Sequence, residues 1–222
     1  KQESCKLVKM SMVPDIPEIL KQEFEEALQA DVALISGGMS VGDKDFAKPL
    51  LKEMGVEEIF WKIKFKPGKP LCLAVLDGIP AAILPGLPTS STFTFSKFIA
   101  PVLRKLAGLA PERSAHVQAN IPLRLNSDKG RTEFNLVHLV RNEHRFSAYS
   151  TGKGSGSITG FARADGFMEI PRNTEMLEAG EETTIQLLGE SARPPDLMII
   201  GSHCVGLDFL LGEMQKRGVS CK

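Results

Sequence analysis

Between residues 1 and 107 the apolar positions switch between a helical period and a strand period. Ile16, Leu20, Phe24 and Leu28 recur at helical spacing behind Asp15 as N-cap and Pro17 in the first turn, predicting an amphipathic helix toward Ala30. At 31–36 comes a short continuous apolar run, Val32 to Ile35, of the kind that suits a strand buried on both faces of a parallel sheet. A helix over 46–54 follows, stopped by Gly55. In 58–65, Ile59, Trp61, Ile63 and Phe65 alternate with polar residues and predict another strand. Strands over 71–76 and 81–84 flank Asp77-Gly78, a strong hairpin signal. A long helix then runs from about Thr89 to Leu106, with Pro101 as its kink.

From Ser114 to Leu188 the helical period vanishes. Short strands at 116–125, 132–140, 145–150, 166–170 and 183–188 are parted by Gly, Asn and Pro turns, which predicts a small all-β domain. A Pro-containing linker leads to a buried strand at 196–200 and an apolar helix at 205–214. The expected division is therefore an α/β domain at 1–110, a β domain at 111–190, and the start of a second α/β domain at 195–222. The polar start without Met, and an end where a strand begins, read as a piece of a longer protein.

Composition narrows the function classes. Lys plus Arg and Asp plus Glu both total 27 among 222 residues, so the formal net charge is zero. That argues against a general nucleic-acid surface or a polybasic membrane anchor. No apolar run approaches the roughly 20 residues that cross a bilayer, and no secretory h-region opens the chain. Cys5, Cys72, Cys204 and Cys221 form no C-x-x-C pair, as expected of reduced cysteines in the cytoplasm.

The candidate chemistry lies where the apolar run 32–35 meets Gly37-Gly38-Met39-Ser40-Val41-Gly42-Asp43-Lys44-Asp45. Glycines let the backbone turn sharply at the strand's carboxyl end, ahead of a helix N-terminus where phosphate binds readily. Asp43 and Asp45, one residue apart, offer carboxylates for Mg²⁺ beside that phosphate. Two other readings of the loop stand beside this one. An ordinary βα turn uses glycine and acidic N-caps in the same way. Gly38-Met39-Ser40-Val41-Gly42 also matches the G-x-S-x-G nucleophile elbow with Ser40 as nucleophile. The hydrolase reading ranks behind, because neighbouring carboxylates oppose an oxyanion at Ser40 and no His-Gly-Gly segment precedes it.

Three ordered segments, Ser36-Gly-Gly-Met-Ser-Val-Gly-Asp-Lys-Asp45, Lys66-Pro-Gly-Lys-Pro70 and Leu84-Pro-Gly-Leu-Pro88, resemble the MogA/MoaB-like domain of the MoeA family, the molybdopterin molybdotransferases that include the gephyrin E domain. Asp128-Lys-Gly-Arg-Thr-Glu-Phe134, Thr151-Gly-Lys-Gly-Ser-Gly-Ser157 and Ala179-Gly-Glu181 resemble that family's C-terminal β domain. The likeness covers residues 7 to 190. The last thirty residues resemble the start of a periplasmic-binding-protein-like domain.

The resemblance implies a three-layer α/β domain with a mostly parallel sheet, then the small β domain. It implies Mg²⁺-dependent insertion of molybdate into adenylylated molybdopterin, with release of AMP, by a cytoplasmic homodimer that uses neither nucleic acid nor membrane. Carried over residue by residue, Asp43 and Asp45 would be catalytic and hold Mg²⁺, while Gly37, Gly38, Ser40 and Gly42 would cradle the phosphate. Lys66, Gly68 and Lys69 would form a cationic turn, and Pro85, Gly86, Thr89 and Ser90 would bring a second segment to the crevice. Arg131 and Ser155 match positions at the oxyanion end, supplied across a domain or subunit boundary. Two positions depart from the pattern: Leu87 stands where Asn is common, and Leu136 where a basic residue is common. A binding and delivery module for the oxyanion or the pterin is the alternative, with a Ser40 hydrolase third.

Overall fold

The structure is a computed structural model that describes residues 5–38, 47–56, 59–112, 114–142, 145–152, 158–189, 195–199, 201–202 and 204–221. The chain forms two compact units, one essentially of residues 1–112 and the other of 113–153 with 159–222.

In the first unit, α1 (Pro17–Ala27), β1 (Ala33–Ser36), α2 (Ala47–Glu53), β2 (Ile59–Trp61), β3 (Cys72–Leu76) and β4 (Ile79–Leu84) precede one long helical stretch. That stretch comprises α3 (Pro88–Thr94), a π-helical turn (Phe95–Ile99) and α4 (Ala100–Leu106). Pro101 has no N–H to give, and the widened turn just ahead of it is where the ladder adjusts. The sheet order is β1-β4-β3-β2, with β1 parallel to β4 and the other two pairings antiparallel. The expected mostly parallel sheet is thus a mixed one among the described residues. The reason is the tight turn at Asp77 (φ 47°) and Gly78 (φ 81°), which can only join antiparallel neighbours.

Helices pack on both faces of this sheet. On one, Phe24 of α1 and Leu51 of α2 join Ala33, Cys72, Ala74, Leu76, Ala81 and Ile83. On the other, Leu71, Ala82 and Leu84 meet Ile99, Phe95, Phe98 and Leu103. The cover is incomplete. Phe60, Leu73, Ala82 and Leu34 form one row across the sheet, and its two ends are 66% and 41% exposed. The burial of β1 on both faces predicted from its apolar run therefore holds on one face only.

Three local expectations are corrected. Asp15 does not cap α1: the N-cap position is Ile16, without a side-chain cap bond. The strand predicted over 58–65 is broken after Trp61, because Lys62 takes a left-handed φ of 61° and turns the chain, and extended pairing resumes only at Phe65–Lys66. In the second unit helical structure does occur, as the short α5 (Ile158–Arg163).

The second unit contains β5 (His116–Asn120), β6 (Leu125–Asn126), β7 (Thr132–Asn142), β8 (Arg145–Ser150), β9 (Gly166–Ile170), β10 (Met176–Leu177), β11 (Glu182–Leu187) and, near the end, α6 (Val205–Lys216). Strands β9, β11, β5, β8 and β7 are hydrogen-bonded in that order, and β9 pairs back onto β7, closing a barrel. Val137, Leu139, Ala148, Met168, Ile170 and Ile185, all between 0% and 1% exposed, fill it. Of the strand predicted over 196–200, the described residues 196–199 make a single parallel bridge, Leu197 to Cys221. Asp196 fastens it by accepting the Ser220 hydroxyl and N–H, both at 2.8 Å.

Candidate functional site

The register of the first unit's sheet gathers three loops. Because β1 and β4 are parallel, with Ser36 opposite Leu84, their carboxyl ends stop side by side. Gly37-Gly38 leaves one and Pro85-Gly86 leaves the other. Strand β3 runs the opposite way, with Cys72 opposite Ile83, so the turn 66–70 that feeds it emerges at the same edge. In open α/β sheets this carboxyl edge is where ligands bind.

Each loop is shaped by a glycine. Gly37 and Gly38 have φ of 98° and 69°, a region closed to most side chains. Gly37 donates its N–H to the Leu84 carbonyl at 3.1 Å, so that group serves the sheet and not a phosphate. A Cβ on Gly86 would stand 3.5 Å from the Gly37 Cα, in van der Waals contact, so the two loop backbones run against one another. Gly68 is buried at φ 126°, and a Cβ there would collide with the Thr94 Cγ2 at 2.4 Å. The turn 66–70 is thereby seated directly on α3. Phe65 adds an edge-on ring contact to Phe98, at 5.3 Å between centroids.

Between these anchors Lys66 is half-buried and Lys69 is exposed. Pro85 is buried and Gly86 exposed. Thr89 and Ser90, in the first turn of α3, are only 2% and 3% exposed. They do not present themselves to solvent. Leu87, the N-cap of α3, is 50% exposed and makes no side-chain cap. Ser40, Gly42, Asp43, Asp45 and Ser155 lie outside the described residues. Among the described residues no group of three or more His, Cys, Asp or Glu side chains is placed to hold a metal ion.

In the second unit Arg131 is half-buried at the entry to β7. Two residues that reading the sequence missed lie just beyond it: Glu133 and Asn135 are 3% and 4% exposed in the strand. The signal was present. Positions 133, 135, 137 and 139 share a strand face, and Val137 and Leu139 mark that face as core, so an acid and an amide there need partners. Asn135 finds one in the Ser150 hydroxyl, which donates to its Oδ1 at 2.7 Å. Ser150 in turn accepts the Gly152 N–H.

Comparison with known proteins bears on both units. Residues 1–105 match a family described as a probable molybdopterin binding domain, and residues 118–188 match the MoeA C-terminal region (domain IV). A molybdopterin molybdenumtransferase of Haemophilus influenzae is 31% identical over 190 residues, 82% of this chain and 46% of that protein. One from Nostoc is 30% identical over 192 residues, 83% of this chain and 44% of the relative. The chain thus spans a little under half the length of these relatives. The crystal structure of a molybdopterin biosynthesis MoeA protein from Pyrococcus horikoshii superposes with a TM-score of 0.64 at 32% identity, over 81% of this chain and 43% of that one.

Proposed function

The chain belongs to the MoeA and gephyrin family, and from that premise we propose that the protein containing it inserts molybdate into adenylylated molybdopterin, with Mg²⁺ and release of AMP. The observation that carries the proposal is the meeting of three glycine-shaped loops at the carboxyl edge of one sheet. Such an edge offers backbone N–H groups and close approach, the two things a phosphorylated ligand needs.

In this reading the residues divide the work. Gly37 and Gly86 let the two loops close on each other, and Gly38, Ser40 and Gly42 cradle the pterin phosphate. Lys69, exposed on a turn fixed by Gly68, draws in the dianionic molybdate as a point charge, with Lys66 behind it. Pro85 rigidifies its loop, and the buried Thr89 and Ser90 begin the helix that follows it. Arg131 and Ser155 would contribute to the oxyanion end, as the family resemblance implies. Asp43 and Asp45 would hold Mg²⁺, which when bound screens the pyrophosphate charge. A cytoplasmic homodimer belongs to the same proposal, with sedimentation as its check. In the described residues no helix is long and apolar enough to cross a membrane.

A second reading, a non-catalytic module that binds and delivers the oxyanion or the pterin, is favoured by one observation. The exposed side chain at the start of α3 is the apolar Leu87. The test uses the full-length protein, adenylylated molybdopterin, Mg²⁺ and molybdate, following AMP release by wild type and Asp45→Asn. Molybdate-dependent release that collapses in the variant supports the transferase. Ligand binding without AMP from either protein supports the delivery module and reduces Asp45 to a helix cap.

A further inference from the structure

Arg131 is carried by a turn that a buried acid fixes from below. Glu133 Oε2 accepts the Ser127 hydroxyl at 2.8 Å and the Asp128 N–H at a longer 3.4 Å. The same turn is tied on its other side to residues 172–175. Ser127 donates its N–H to the Glu175 carbonyl and Gly130 to the Arg172 carbonyl, both at 2.8 Å, and Lys129 pairs with the Glu175 carboxylate. Residues 127–130 are therefore held at both ends, and the backbone that launches Arg131 has little freedom.

The second half of the device is what Arg131 lacks. Residues two apart at a strand entry leave on the same side, so an arginine and a glutamate at 131 and 133 are well placed to pair. Here, among the described residues, no ion pair or hydrogen bond involves the Arg131 side chain, and the Glu133 carboxylate is turned to the loop. A half-buried arginine on a fixed base, with Glu133 engaged elsewhere, is prepared for an anion from outside.

We propose that Glu133 is a positioning residue for the oxyanion: by spending its carboxylate on residues 127 and 128 it both sets the base of Arg131 and keeps that guanidinium unpaired. The inference rests on the reading in which Arg131 meets molybdate. It assigns Glu133 no contact with substrate. Its effect reaches the ligand through Arg131, as an outer partner does for a ligating side chain.

The experiment takes the full-length protein and titrates molybdate alone by calorimetry, alongside the molybdate dependence of AMP release. Glu133→Ala should weaken molybdate binding about tenfold, the scale of losing an outer-sphere support, with kcat nearly unchanged. Glu133→Gln keeps an oxygen for Ser127 and should restore most of that affinity, which a merely bulky core position would not distinguish. Wild-type molybdate affinity in Glu133→Ala, beside a weakened Arg131→Ala, overturns the role of Glu133 and leaves Arg131 in place. Unchanged affinity in Arg131→Ala overturns the underlying reading and the proposal with it. Should Glu133→Ala not fold, Ser127→Ala decides. It removes the shorter of the two bonds that hold the carboxylate on the loop and should weaken molybdate severalfold, and affinity equal to wild type there sinks the idea.

Discussion

In the barrel of the second unit every strand has a hydrogen-bonded neighbour on each side, because β9 pairs with both β11 and β7. In the first unit β1 pairs only with β4, and β2 only with β3, among the described residues. The barrel interior is packed to 0–1% exposure, whereas the sheet row that ends in Leu34 and Phe60 runs out into solvent. The difference teaches where each unit keeps its chemistry. A closed barrel has spent its backbone donors and offers a ligand only what its mouth and turns hold out, Arg131 in the function proposed above. An open sheet has a carboxyl edge with loops to give, and the glycine motifs lie there.

The comparison breaks most visibly at the barrel centre. Leu139 is fully buried in β7, and truncation to Ala removes its contacts while leaving a cavity that rigid strands cannot collapse. Leu139→Ala should cost about 3 kcal/mol, read as faster hydrogen exchange throughout the barrel amides. Exchange accelerated only beside residue 139 would mean that the barrel is not one cooperative unit.

The next effect belongs to the open sheet. Gly68→Ala meets two obstacles at once, a φ of 126° that alanine avoids and a Cβ position 2.4 Å from the Thr94 methyl. Thr94 is fully buried, and its hydroxyl is engaged by the Ser90 and Ser91 carbonyls at 2.8 and 3.0 Å, so it has nowhere to turn. The substitution should cost about 2 kcal/mol and lift the lysine turn off α3. Hydrogen exchange should quicken from Phe65 to Leu71. Unaltered exchange there would show that the turn is not seated on the helix.

Legibility in the sequence divides along the same line. The strands 145–150 and 166–170 were read to the residue, because alternating side chains end in Gly, Asn or Ser turns. The hairpin at Asp77-Gly78 was equally plain. What failed was information held in the partner and not in the segment. Val32 to Ile35 looked doubly buried, but whether Leu34 is covered depends on what lies over the sheet. The break at Lys62 is a single left-handed residue without glycine, which no period reveals, and α5 is too short to show one. The site divides similarly. The three loops were legible as motifs, but their meeting depends on one parallel and one antiparallel pairing, and the use of the Gly37 N–H within the sheet is a property of that pairing. Glu133 and Asn135 are invisible to apolar periodicity, because what marks them is the pairing that a polar group on a core face requires.

The smallest expected effect is the one that tests the open row directly. Phe60 is 66% exposed and pairs with Leu73 at the β2 margin, so most of its ring is already in water. Replacing it with Ser should then change stability by less than about 0.5 kcal/mol, as for a surface position, and denaturant unfolding of the full-length protein measures it. The prediction is useful because a large value is informative. A loss well above 1 kcal/mol, on the scale of burying an aromatic side chain, would mean that another segment lies over Phe60 in the full-length protein. The contrast between a finished barrel and an unfinished sheet would then belong to this chain alone.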